Sequence, residues 1–140
     1  MNHQRTLTRY QESQILNASP EQLLLLTYDG LLRFLGRAKR GMESRDFDEK
    51  HVGVSRSQTI VLELYRTLNH DAAPELAANL ARVYVYLLEE VARADLEDDA
   101  ERLGRVIGIV SGLRETWLEA ARSAQVTKEG EGWMRPGSPD

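Results

Sequence analysis

Apolar residues recur at helical spacing in four segments of the chain, and short polar breaks separate these segments. In the first segment the steps alternate between four and three, which is the seam of a helix packed in an antiparallel bundle. The residues of this seam are Leu24, Tyr28, Leu31, Leu35, Ala38 and Met42. We therefore predict an all-α fold: an antiparallel up-down four-helix bundle preceded by a short N-terminal arm or helix.

Start and stop signals bound the four predicted helices. Ser19 is a good N-cap and Pro20 suits the first helical position, so the first helix begins there. Pro74 marks the first turn of the third helix in the same way. The predicted helices run from 19 to a break around 44–48, roughly over 51–68, over 74–95, and from an acidic turn at 96–101 to about 124.

The same signals divide the chain into three parts. Residues 1–18 are polar with a few isolated apolar residues, and we expect them to form an arm that makes only weak contacts. Residues 19–124 form the predicted bundle. Residues 125–140 are rich in Gly, Pro and charge, and we expect a disordered tail.

Composition excludes several classes of partner. The chain has 18 basic and 22 acidic residues, a net charge of −4 and no cysteine. No overall positive field draws it to nucleic acid or to an anionic membrane surface, and disulfides and thiolate metal sites are ruled out. Neither a signal-peptide core nor an apolar run long enough to cross a membrane is present, so we expect a cytoplasmic protein without membrane insertion.

The sequence offers no credible catalytic centre. His3, His51 and His70 are isolated from one another and from other ligand types, so we expect no metal site. The carboxylates of 97–101 precede a helix N-terminus, where the helix dipole favours negative charge. Nucleotide-binding and nucleophile motifs are missing, and we predict a protein that is not an enzyme and needs no cofactor.

Two helices have more apolar surface than one core can cover. Leu23 to Leu26 point in four directions around the first helix. On the second helix, Leu62 and Tyr65 lie off the stripe that Val61 and Leu64 define. A thick core with a few exposed apolar residues and a groove for a partner both explain this pattern.

The fourth predicted helix has glycines at 104, 108 and 112. Each glycine costs about 0.8–1.0 kcal/mol of helix propensity relative to alanine. Three on one edge indicate that another backbone comes close, and it belongs either to a neighbouring helix or to a bound peptide.

Several short motifs together resemble the flagellin-specific export chaperone family, FliS, over residues 7–118 or so. The most specific element is SP-x-x-L followed shortly by YDG. The motifs are Tyr10, Ala18-Ser19-Pro20-Glu21-Gln22-Leu23, Tyr28-Asp29-Gly30, Glu63-Leu64, Asn79-Leu80, Tyr84-Val85-Tyr86 and Leu113-Arg114-Glu115-Thr116-Trp117. The departures from the family pattern are small and fall at Thr27, Val83 and Val85.

The resemblance implies a helical bundle that binds the disordered C-terminal segment of flagellin in the cytoplasm. Binding would prevent premature polymerisation of flagellin and support flagellar type III export, including its presentation to the export gate at the membrane. In the family, the N-terminal arm folds over part of the empty peptide groove. By position, Leu7 and Tyr10 look like the anchoring pair of this arm.

We hypothesise that six further residues contribute to the client groove, namely Leu25, Leu62, Tyr65, Tyr84, Gly104 and Gly108. The alternative is a structural bundle without a client, in which the extra apolar surface forms a homodimer. A di-iron bundle enzyme would need inward-facing Glu-x-x-His pairs, which the sequence lacks.

Overall fold

The first helix begins with a reciprocal pair of hydrogen bonds. The Gln22 backbone N–H donates to Ser19 Oγ at 3.2 Å, and the Ser19 N–H donates to Gln22 Oε1 at 2.9 Å. This capping box satisfies two backbone donors that the helix itself leaves free. The helix start predicted at Ser19 and Pro20 is confirmed.

The computed structural model describes residues 9, 12, 13 and 16–133. Four helices account for most of this part, and no strand occurs in it, so the predicted all-α class is confirmed. The helices are α1 Pro20–Ser44, α2 Phe47–Arg66, α3 Pro74–Glu97 and α4 Ala100–Trp133. None of the helices in the described part combines the length and apolar character needed to cross a membrane.

Three helix ends differ from the sequence prediction. Helix α2 starts at Phe47, before His51, because Asp46 is its N-cap and accepts the Glu49 N–H at 3.2 Å. Helix α3 continues beyond Asp95 and stops only where Asp98 adopts a left-handed conformation with φ of 51°. Helix α4 has helical backbone well past residue 124, and the division into arm, bundle and tail stays a prediction.

The chain divides into two compact units, which we call the bundle unit and the terminal unit. The bundle unit, Thr27–Gly112, contains parts of all four helices. The terminal unit contains the chain up to Leu26 and from Leu113 onward. The largest fully buried side chains are Tyr28, Tyr84, Leu31, Leu35, Leu87, Leu103, Val61, Val91, Val106, Val110 and Ser57, all in the bundle unit.

Side-chain contacts define the order of the helices in the bundle unit. The beginning of α2 lies beside the second half of α1 and beside the end of α3, and the beginning of α4 lies beside the second half of α3. The helices therefore alternate in direction, as expected for an up-down bundle. The connecting ion pairs are Arg37–Glu49, Lys50–Asp95 and Arg102–Glu90.

Helices α1 and α2 approach each other at the distance of backbone contact. A Cβ atom added to Gly53 would lie 2.7 Å from both Ala38 Cα and the Phe34 carbonyl oxygen. A Cβ atom at Gly41 would lie 2.8 Å from the Asp46 carbonyl oxygen and from Lys50 Cα. Because these neighbours are backbone atoms, only glycine allows the two helices to pack this closely.

We predict opposite effects on stability for alanine at Gly53 and at Gly108. Gly53→Ala should destabilise the fold by about 1–3 kcal/mol because α1 and α2 must move apart. Gly108→Ala should stabilise it by about 0.5–1 kcal/mol, since nothing lies within 4 Å of the new methyl group. Urea unfolding followed by circular dichroism measures both changes, and equal effects would contradict the close approach at Gly53.

Candidate partner-binding surfaces

Helix α2 exposes Phe47 at its first position and, in its second half, two large apolar side chains beside the buried stripe. Leu62 is 38% exposed and Tyr65 is 41% exposed, whereas Val61 and Leu64 are buried. Successive helix residues are rotated by about 100°, so each exposed residue lies next to a core residue and turns away from the core. The prediction that Leu62 and Tyr65 lie off the core stripe is confirmed.

One side of α3 faces α2. Lys50 Nζ of α2 lies 3.2 Å from an Asp95 carboxylate oxygen of α3 and also donates to the Asp95 carbonyl oxygen. Val85, Leu88, Ala92 and Asp95 recur at steps of three and four, so they share this side of α3. Val85 is the large apolar member of the series that is exposed, with 41% of its surface accessible.

Leu62, Tyr65 and Val85 lie at a similar height in the bundle unit. Lys50 of α2 lies beside Asp95 of α3, and the two helices run in opposite directions. Moving along α2 from Lys50 to Tyr65 therefore reaches the height of about residue 80 on α3. We call these three residues the α2–α3 apolar face. Val85 is not among the site residues predicted from the sequence, although its spacing to Leu88 and Ala92 indicates that it lies on this side of α3.

Tyr84 lies in the core beneath this face. It is 2% exposed because it belongs to the buried stripe with Leu80, Leu87 and Val91. Its hydroxyl lies 2.6 Å from the hydroxyl of Tyr28 on α1. Burial raises the pKa of the Tyr84 hydroxyl well above its usual range, and the hydrogen bond to Tyr28 raises it further. Tyr84 therefore supports α3 from inside and does not line a surface.

Gly104, Gly108 and Gly112 of α4 do not pack closely against another helix within the described part of the chain. A Cβ atom at Gly104 would meet only Lys39 Cε, at 3.4 Å, which is ordinary contact. At Gly108 and Gly112 no atom of the described residues lies within 4 Å of the Cβ position. Of the two explanations for this glycine edge, close packing inside the chain finds no support at Gly108 or Gly112.

Charged side chains hold the junction of α3 and α4. Arg102 Nη1 donates to Glu90, and the Tyr86 hydroxyl donates to the same carboxylate at 3.0 Å. The hydrogen bond from Arg102 is the main cause that lowers the pKa of Glu90, and the bond from Tyr86 adds to it. Glu90 is thus held ionised at neutral pH, and Tyr86 is oriented along the surface of α3.

The terminal unit has two apolar hollows. Leu25 is half-buried and lines the first, about 380 Å³ in volume, together with Asn17, Ala18, Gln22 and Leu26. The second, about 370 Å³, lies between the beginning of α1 and the stretch of α4 from Trp117 to Ala124. It is lined by Pro20, Glu21, Leu24, Trp117, Ala120, Ala121 and Ala124. The Trp117 indole N–H is buried and has no acceptor in the described part of the chain.

The structure does not bring all the predicted site residues together. Leu62 and Tyr65 lie on α2, whereas Gly104 and Gly108 lie on α4, where the described contacts of Gly104 and Arg102 are with α1 and α3. Leu7 and Tyr10 lie outside the described residues. No group of three or more His, Asp or Glu side chains that could hold a metal ion occurs within residues 16–124.

These observations define a helical bundle with apolar side chains on its outer surface, the class of fold that binds partners through its helix faces. A family model described as "Flagellar protein FliS" matches residues 2–124. The chain belongs to the FliS family. Its class is therefore that of a flagellar export chaperone and not of an enzyme, as the sequence predicted.

Three relatives show the extent of the similarity, and each is named flagellar secretion chaperone FliS. The protein from Bacillus subtilis is 31% identical over 129 residues, which covers 92% of this chain and 96% of the relative. The protein from Campylobacter jejuni is 31% identical over 85% of this chain and 93% of its own length. The protein from Salmonella typhimurium is 31% identical over 81% of this chain and 84% of its own length.

Removal of the buried tyrosine hydroxyls should reveal a shared hydrogen bond. We expect Tyr28→Phe and Tyr84→Phe each to destabilise the fold by about 1–2 kcal/mol. The double variant should lose clearly less than the sum, because both changes remove the same bond. Chemical unfolding of the four proteins gives the coupling free energy, and strictly additive losses would show that the two hydroxyls do not stabilise each other.

Proposed function

We propose that this chain is a cytoplasmic export chaperone that binds the disordered C-terminal segment of flagellin. Binding prevents premature polymerisation of flagellin and supports flagellar type III export, including delivery to the export gate. The observation that carries the proposal is the α2–α3 apolar face, exposed on the surface of a FliS-family bundle.

A disordered apolar segment suits this face. Such a segment gains affinity when it folds into helical turns against a groove, and it loses part of that gain to the entropy of ordering. The complex is therefore tight enough to cover the client and weak enough to release it. Leu62, Tyr65 and Val85 provide the apolar contact, and Tyr84 holds α3 in place beneath them.

The glycine edge of α4 provides a second contact in the proposal. Gly104 and Gly108 have no side chain, and the space over Gly108 is open, so a peptide backbone can approach α4 closely there. The α2–α3 apolar face and the glycine edge lie on different helices, so we propose that a client that touches both extends over more than one helix of the bundle unit. An extended, disordered segment can do this, whereas a compact folded domain cannot.

The remaining predicted contacts lie near the chain's N-terminal part. Leu25 lines an apolar hollow of the terminal unit and is proposed as an additional client contact. We propose that Leu7 and Tyr10 anchor the arm of residues 1–18, which shields apolar surface until the client displaces it. Residues 19–124 then serve as the client-binding bundle, and residues 125–140 form a tail without an assigned role.

The proposal predicts one-to-one binding of a flagellin C-terminal peptide. Isothermal titration calorimetry with the peptide should show saturable binding, together with a negative heat-capacity change because apolar surface is buried. Flagellin truncated to remove this segment is the control and should not bind. The flagellin proposal would be refuted if the intact segment gave no heat of binding and did not change the elution volume of this protein in gel filtration.

Polar replacements on the α2–α3 apolar face should weaken this binding selectively. We expect Leu62→Ser/Tyr65→Ser to raise the Kd at least tenfold, which corresponds to about 1.4 kcal/mol. Leu96→Ser is the matched control, because Leu96 is 85% exposed near the end of α3 and lies far from this face along the helix. Equal effects of the two variants would remove the face from the client site.

The alternative of a self-associating bundle would bury the same apolar side chains in a homodimer. Sedimentation equilibrium of the free protein distinguishes the chaperone proposal from the self-associating bundle. A monomer whose mass increases only when the flagellin peptide is added supports the chaperone proposal, and a dimer that Leu62→Ser/Tyr65→Ser converts to a monomer supports self-association.

A further inference from the structure

A cleft on the surface of α1 combines positive charge with apolar walls. Its volume is about 290 Å³, and it belongs entirely to the bundle unit. The residues that line it are Leu32, Arg33, Phe34, Arg37 and Arg40. We call it the α1 basic cleft. Leu32 and Phe34 are half-buried, whereas Arg33 and Arg40 are exposed.

Arg37 is held rigidly at one edge of the cleft. Its Nε and Nη2 atoms donate to the two carboxylate oxygens of Glu49 at 3.0 and 2.8 Å. The guanidinium also lies 5.9 Å from the centre of the Phe34 ring. The paired hydrogen bonds raise the pKa of Arg37 and lower the pKa of Glu49. Arg37 therefore forms a structural ion pair with Glu49, and this pair shapes one edge of the cleft.

The other two arginines make no close ion pair within residues 16–124. The charge of Arg40 nevertheless adds to the lowering of the Glu49 pKa, so Arg40 lies within electrostatic range of that carboxylate. Neither Arg33 nor Arg40 forms an ion pair there, although acidic residues outnumber basic ones in the chain. Arg40 folds back over α1, and its Nη1 lies 3.2 Å from the position of a Cβ atom on Gly36. Glycine at position 36 leaves room for this guanidinium close to the helix backbone.

Charge and shape together select the ligand. The single carboxylate of Glu49 is paired with Arg37 and acts more weakly on Arg40, so the three guanidinium groups outnumber it and positive charge remains beside the apolar surface of Leu32 and Phe34. Guanidinium groups bind carboxylates through two parallel hydrogen bonds, and an apolar side chain fills an apolar wall. Nucleic acid fits less well, because two unpaired arginines on a chain of net charge −4 neutralise too few phosphates.

We propose that the α1 basic cleft is a docking site for an acidic peptide segment of a partner protein, with carboxylates on Arg33 and Arg40 and an apolar side chain against Leu32 and Phe34. The site is separate from the α2–α3 apolar face. It does not depend on the identity of the client that binds there.

The test uses a fluorescein-labelled peptide of sequence Asp-Glu-Leu-Asp-Phe-Glu and the full-length protein. Fluorescence anisotropy should show saturable binding at low salt that weakens at least tenfold as ionic strength rises. The control peptide Asn-Gln-Leu-Asn-Phe-Gln has the same apolar side chains without charge and should not bind. Equal binding of the two peptides would overturn the proposal.

Matched variants locate the site. Arg33→Gln/Arg40→Gln should weaken binding of the acidic peptide at least tenfold, whereas Arg56→Gln/Arg93→Gln removes the same charge from exposed positions of α2 and α3 and should leave the Kd within twofold. Unchanged circular dichroism of both variants establishes that they fold. Equal losses in the two variants, or tight binding of a single-stranded oligonucleotide in place of the peptide, would also overturn the proposal.

Discussion

Backbone contact between α1 and α2 determines the geometry of the bundle unit. At Gly53 and Gly41 the two helices are so close that not even a methyl group fits between them. This spacing lets Arg37 reach Glu49 across the helix pair and turns the opposite side of α2 towards α3. Leu62 and Tyr65 are left on the outer part of that side, so the apolar face follows from how α1 and α2 are packed.

Much of the fold could be predicted from the sequence because helical periodicity and capping are local properties. The seam of α1 and the cap at Ser19 are examples. The start of α2 was predicted too late because the pattern of large apolar residues begins well after the cap at Asp46. The role of the glycines was harder to predict. Their regular spacing in α4 indicated close packing there, whereas the backbones of α1 and α2 approach each other at Gly41 and Gly53. Contact between helices cannot be read from the pattern of one helix.

The candidate site could be predicted only in part for a similar reason. Leu62 and Tyr65 lie off a clear core stripe, so their exposure follows from the spacing alone. Tyr84 was assigned to a surface from a motif, yet its spacing to Leu80 and Leu87 places it in the core. The α1 basic cleft depends on which arginines find a carboxylate on another helix, and only the three-dimensional arrangement decides this.

The connections between successive helices are very short at two places. Only Arg45 and Asp46 separate α1 from α2, and only Asp98 and Asp99 separate α3 from α4. Most contacts within each helix pair therefore join residues that are near in sequence, and proteins rich in such local contacts fold in microseconds to milliseconds. The pairs α1–α2 and α3–α4 can therefore form quickly, whereas the α2–α3 apolar face is complete only after the two pairs have packed against each other.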